Sequence, residues 1–93
     1  HTHERALAAG VKLHGCTVHF VTEELDGGPI VIQAAVPVLA NDTADTLSER
    51  VLRQEHVVYP RAIRWFLDDR LVIDGGRVSV KGNDAQYLLA DRA

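Results

Sequence analysis

His19 and Asp26 stand seven positions apart and carry the two groups best suited to moving a proton. If the segment between them folds back, the carboxylate accepts a hydrogen bond from the imidazole. That bond fixes its orientation and leaves its second oxygen free for a proton or a water. A histidine satisfied within the core is the other reading of such a spacing. Five histidines, His1, His3, His14, His19 and His56, and one thiol, Cys16, are available to a metal. Although His1, His3 and Glu4 lie close together, none of the usual zinc-site spacings occurs, and no metal is expected. The sequence also lacks a Gly-rich phosphate loop and a Gly-x-Ser-x-Gly elbow, which argues against a self-contained nucleotide hydrolase or serine esterase. A further candidate is Glu55, a carboxylate that interrupts an apolar helical stripe. Either its head reaches water from the edge of the stripe or it serves a ligand.

Several elements must position these groups. Residues 3–10 read as a short helix of good helix formers that Gly10 can close in the left-handed conformation. Residues 15–22 alternate as a strand, with Cys16, Val18 and Phe20 on one face and Thr17, His19 and Val21 on the other. Residues 30–38 form a second strand with Ile30, Ile32, Ala34, Val36 and Val38 on one side, and Pro37 marks an edge or the end of pairing. Between them lies the acidic loop Glu23-Glu24-Leu25-Asp26-Gly27-Gly28-Pro29, which taken by itself is a solvated hairpin turn.

A long helix starts at Asp42 or Thr43 as cap and runs to about residue 68. Its inward stripe is Leu47, Val51, then Gln54 and Glu55, Val58, Ala62 and Trp65 or Phe66. Pro60 has no amide to offer the carbonyl of His56, so the helix should kink or restart there. Residues 71–80 read as a hairpin around Gly75-Gly76. The tail, residues 81–93, shows no periodicity.

The chain has 93 residues, 46% of them hydrophobic, and reads as a single unit, 1–93, with a core. Such a chain buries roughly 60–65% of the surface its unfolded form exposes, so a sizeable cleft needs walls from elsewhere. A net charge of −3 without any basic block argues against nucleic acid as the main partner. The single cysteine fits a reducing, cytoplasmic setting. The longest apolar run, 29–40, is broken by Gln33 and Pro37 and is too short to cross a membrane. With no methionine anywhere, the sequence is expected to be part of a longer polypeptide.

The run His14-Gly15-Cys16-Thr17-Val18-His19-Phe20-Val21-Thr22-Glu23-Glu24-Leu25-Asp26-Gly27-Gly28-Pro29 resembles the signature of the glycinamide ribonucleotide formyltransferase family, a branch of the folate-dependent formyltransferases. His1-Thr2-His3, Gln54-Glu55-His56, Tyr59-Pro60 and Trp65-Phe66 fall at the spacings of that family, so the likeness covers residues 1 to about 73. It implies an α/β fold, the C-terminal half of a Rossmann-like formyltransferase fold, in which a mixed β-sheet carries a long kinked helix and a terminal β-hairpin. It also implies transfer of a formyl group from the co-substrate 10-formyltetrahydrofolate to the amine of glycinamide ribonucleotide, a step of purine (IMP) biosynthesis that uses no metal.

By the same resemblance Asp26 falls on the catalytic aspartate and His19 on its hydrogen-bonded support, with His1 and Thr17 on flanking polar positions. Thr22, Glu23, Glu24, Leu25, Asp26 and Gly27 fall on the backbone that lines the pterin pocket. Glu55 falls where a carboxylate meets the ribose hydroxyls of the nucleotide, while no nucleotide contact carries over to Leu52. An Asn-x-His-Pro-Ser segment and a glycine-rich phosphate turn, both needed by the active family enzyme, do not occur in these residues. The expectation is therefore a C-terminal half that is inactive alone and completed by a missing N-terminal half, with a homodimer left open. Two alternatives stand beside transfer: a hydrolase that passes the formyl group to water, and a non-catalytic folate-binding or dimerisation module.

Overall fold

In the computed structural model, residues 1–21 and 27–91 are described. The order is α1 (Thr2–Ala9), β1 (Leu13–His19), β2 (Ile30–Pro37), α2 (Ala44–Leu67), β3 (Leu71–Asp74), β4 (Arg77–Val80) and β5 (Tyr87–Leu89). β1 and β2 pair antiparallel, with Cys16 opposite Ala34 and Val18 opposite Ile32, and Pro37 closes the ladder opposite Leu13. β5 joins the free edge of β2 in parallel, which makes the three-stranded sheet β1-β2-β5 mixed, while β3 and β4 form the expected hairpin as a two-stranded sheet of its own.

Alternation along the two long strands puts Cys16, Val18, Phe20, Ile32 and Ala34 against α2. The face of α2 that meets them carries Leu47, Val51, Val58, Ala62 and Trp65, spaced by three, four or seven residues as a helical stripe requires. Ile32, Val36, Leu47 and Val58 are wholly buried. Trp65, not Phe66, closes the stripe, and Phe66 is 61% exposed with its ring edge-on to Phe20.

The start of α2 settles the choice of cap. The Thr43 hydroxyl accepts from the Thr46 amide at 3.2 Å and the Thr43 amide donates to Thr46 Oγ1 at 2.9 Å, a reciprocal capping box. Asp42 is used differently. Its carboxylate accepts two bonds from Arg50, at 2.7 and 2.9 Å, and one from the Leu39 amide at 2.7 Å. Arg50 also donates to the Pro37 carbonyl, so this pair ties the end of β2 to the first turns of α2. Both side chains are nearly inaccessible, at 5% and 3%. The Arg50 guanidinium holds the Asp42 carboxyl well below the usual carboxylate range.

Three expectations change. α2 continues through Pro60 to Leu67 and no second helix starts there. Pro60 and His56 lie on the exposed side, where water can meet the carbonyl that loses its donor. β1 starts at Leu13 and ends at His19, so it lies earlier than the alternation suggests. The tail is not irregular throughout, because residues 87–89 form β5. Its position is set by tertiary bonds that leave no local pattern: the Gln86 side-chain amide donates to the carbonyls of Val31 and Val78, at 3.0 and 2.8 Å.

Candidate functional site

The ladder between β1 and β2 slips just before the candidate histidine: Val18 faces Ile32, but His19 faces Ile30. Such a bulge re-aims the side chain at a strand end, and His19 emerges exposed at the mouth of the following loop. The neck of that loop is closed by the Phe20 amide donating to the Pro29 carbonyl at 2.9 Å. His19 Nδ1 lies 2.9 Å from the Phe20 carbonyl and 3.4 Å from the Gly28 amide. The two contacts use Nδ1 in opposite roles: the shorter is made when Nδ1 carries the hydrogen and donates to the carbonyl, the longer when Nδ1 accepts from the amide.

Gly27 lies close to that imidazole, on the side of its Cε1. A Cβ there would lie 3.0 Å from the His19 Cε1 and 3.2 Å from Nδ1, and its φ of +76° favours glycine independently of space. Asp26, with Thr22, Glu23, Glu24 and Leu25, lies outside the described residues.

The other candidates are dispersed. Thr17, two residues before His19, accepts from the Gln33 side-chain amide at 3.1 Å. His1 sits exposed at the start of α1, 3.4 Å from Glu4. Glu55 is half-buried on α2, and its charge reaches Cys16: burial first and Glu55 second push that thiol up, against an opposing backbone bond from Ala34. Cys16 is accordingly a protonated packing group. Among the described residues no hydrogen bond or ion pair joins any two of His1, Thr17, His19 and Glu55. No group of three His, Cys, Asp or Glu residues converges as metal ligands among the described residues. Among the same residues, no helix is long and apolar enough to cross a membrane.

Three features escaped the reading of the sequence. His3 Nδ1 meets His14 Nε2 at 3.2 Å with the rings edge-on, pinning α1 to β1, and burial followed by the charge of His3 lowers the His14 pKa. Nothing local signals that contact. Gly15 allows β1 and β2 to close up, since a Cβ there would fall 1.8 Å from the Ala34 carbonyl oxygen. Arg50 did leave a signal: it sits between Leu47 and Val51 on the inward stripe, where a cation needs a carboxylate.

Against this geometry, a family model described as Formyl transferase matches residues 1–63. Phosphoribosylglycinamide formyltransferase of Escherichia coli (strain K12) is 49% identical over 89 residues, covering 88% of this chain and 42% of that protein. A crystal structure of phosphoribosylglycinamide formyltransferase from Anaplasma phagocytophilum superposes with a TM-score of 0.89 at 47% identity, over 96% of this chain and 44% of that one. A formyltetrahydrofolate deformylase from Pseudomonas syringae pv. tomato str. DC3000 superposes with a TM-score of 0.81 at 36% identity, over 86% of this chain and 27% of that one. The chain spans less than half the length of these relatives. With a family model matching well over half of its residues, the chain belongs to the formyl transferase family.

Proposed function

We propose that this chain supplies the proton-relay and folate-binding part of an enzyme that moves a formyl group from 10-formyltetrahydrofolate to the amine of glycinamide ribonucleotide, a step of purine synthesis. One observation carries the reading: a bulge holds His19 at the neck of the loop that contains Asp26, with its ring bonded to the Phe20 carbonyl and closely approached by Gly27. The substrate amine attacks the formyl carbon and a new C–N bond forms. Asp26, acting through a water, takes a proton from that amine. As the bond from the formyl carbon to folate N10 breaks, N10 receives a proton and leaves as tetrahydrofolate.

His19 supports the relay in two forms: a ring with its hydrogen on Nδ1 accepts at Nε2 from a protonated Asp26 carboxyl, and an imidazolium donates to the ionised carboxylate, so that one proton is shared between the two groups. Thr17 and His1 belong to the polar surroundings. In this reading Thr22, Glu23, Glu24, Leu25, Asp26 and Gly27 supply the main-chain groups that meet the pterin. Glu55 accepts bonds from the ribose hydroxyls. Stabilisation of the oxyanion and binding of the phosphate fall to residues outside these 93, since a segment of the Asn-x-His-Pro-Ser kind is absent here and the relatives are more than twice as long.

The test is an assay of the full-length protein with both substrates. Formylated glycinamide ribonucleotide should form only when that nucleotide is present, and the 93-residue stretch alone should be inactive. The similarity to a deformylase at 36% identity supports a second reading, hydrolysis of the same co-substrate. Formate released at an equal rate without the nucleotide would select it.

A further inference from the structure

Gln33 is the one polar residue in β2, whose other members are Ile, Val, Ala and Pro. It alternates with Ile32 and Ala34, which pack against α2, and so lies on the opposite, exposed side of the sheet. An exposed strand position accepts a glutamine without explanation, but the setting of this one is specific. Gln33 stands in register between Thr17 on β1 and Tyr87 on β5. Its backbone amide donates to the Gln86 carbonyl at 3.2 Å, and the Gln86 side chain is itself fixed on the carbonyls of Val31 and Val78. Strands on both sides thus hold the backbone from which the Gln33 side-chain amide donates to Thr17 Oγ1 at 3.1 Å.

The direction of that bond matters. A threonine hydroxyl has one hydrogen and two lone pairs. The Gln33 amide occupies a lone pair, which leaves the hydroxyl hydrogen for another acceptor. Among the described residues this is the one side-chain hydrogen bond of Thr17. Thr17 lies two positions before His19, at the end of β1 that enters the loop. We propose that Gln33 is a positioning residue for formyl transfer, making Thr17 a donor to the water through which Asp26 takes the proton of the substrate amine. The water oxygen has two lone pairs. The amine N–H uses one and Thr17 the other, which aims a water hydrogen at the Asp26 carboxylate. The inference rests on the proposed relay and extends it by a residue of β2, with β5 part of what holds that residue in place.

Steady-state kinetics on the full-length protein test it, with Gln33 replaced by side chains of similar length and different bonding. Gln33→Met, which cannot donate, should lower kcat about tenfold, the size of one lost hydrogen bond, with KM for both substrates within about twofold of wild type. Gln33→Glu accepts where the amide donated. It should draw the Thr17 hydrogen back toward β2 and lower kcat further. Gln33→Lys restores a donor and should recover most of the loss. Thr17→Val should also lower kcat about tenfold, and in that background Gln33→Met should cost nothing more. Wild-type turnover in Gln33→Met or Gln33→Glu, or the same loss from Gln33→Met with and without the Thr17 hydroxyl, would overturn the proposal and leave the relay standing. Wild-type turnover in Asp26→Asn would overturn both.

Discussion

The two ends of β1 are built to opposite standards. At its start, Gly15 lies so close to the Ala34 carbonyl that no side chain fits, His14 is joined to His3, and the neighbouring end of β2 is tied to α2 by the Arg50–Asp42 pair. At its finish, the pairing slips after Val18, His19 emerges exposed and an open cleft adjoins the loop neck. One end holds β1 against its neighbours, and the other presents a group from the fixed strand. The proposed chemistry needs both, because a relay histidine is useful only if its ring is held while its free nitrogen stays accessible.

Substitutions separate the two ends, and each is measured on the full-length protein. The largest effect belongs to Gly15→Ala, which would drive a Cβ into the Ala34 carbonyl and cost more than about 3 kcal/mol. The midpoint of urea unfolding should fall accordingly, and an unchanged midpoint would show that the strands are not in tight apposition. Asp42→Asn should come next, as it leaves a buried guanidinium without a counter-charge. The same pair fixes an acid dependence. Because the folded Asp42 pKa lies below its unfolded value, the stability it contributes is complete above the ordinary carboxylate range and is lost as pH falls through and below that range. Asp42→Asn should flatten that part of the stability profile.

At the other end, Gly27→Ala should cost only about 1–2 kcal/mol of backbone strain, yet displace the His19 ring and lower kcat by about a hundredfold. A large fall in kcat with a small shift in the unfolding midpoint is the signature that distinguishes this end from the Gly15 end. Thr43→Ala, which removes the cap of α2, should lower stability by about 1 kcal/mol and leave kcat unchanged.

The framework was legible because local patterns carry it. The spacing of Leu47, Val51, Val58, Ala62 and Trp65 gives the buried face of α2, and the alternation of Cys16, Val18 and Phe20 gives the inner face of β1. β5 was not legible: three residues are too few for a period, and Gln86 and the edge of β2 hold them in place. Pro60 suggested a kink or a restart, and the helix does not restart: with that side of α2 exposed, it runs on to Leu67.

For the site, the positions of His19 and the adjoining glycines in the sequence pointed to the loop neck. The exit of His19 at the loop neck follows a bulge that no spacing reveals, and so does the close approach of Gly27 to its ring. The His3–His14 contact exists only once α1 has docked on β1. Arg50 was the avoidable omission, since a cation on an otherwise apolar stripe asks for a partner before any coordinates are seen.

Steady-state turnover of Asp26→Asn in the full-length protein, measured beside calorimetric binding of a folate analogue, probes the relay itself. Formyl transfer should fall by about two to four orders of magnitude while the analogue binds within a few-fold of wild type. Turnover close to wild type would contradict the account, because proton movement would then run without the carboxylate that the proposed relay requires.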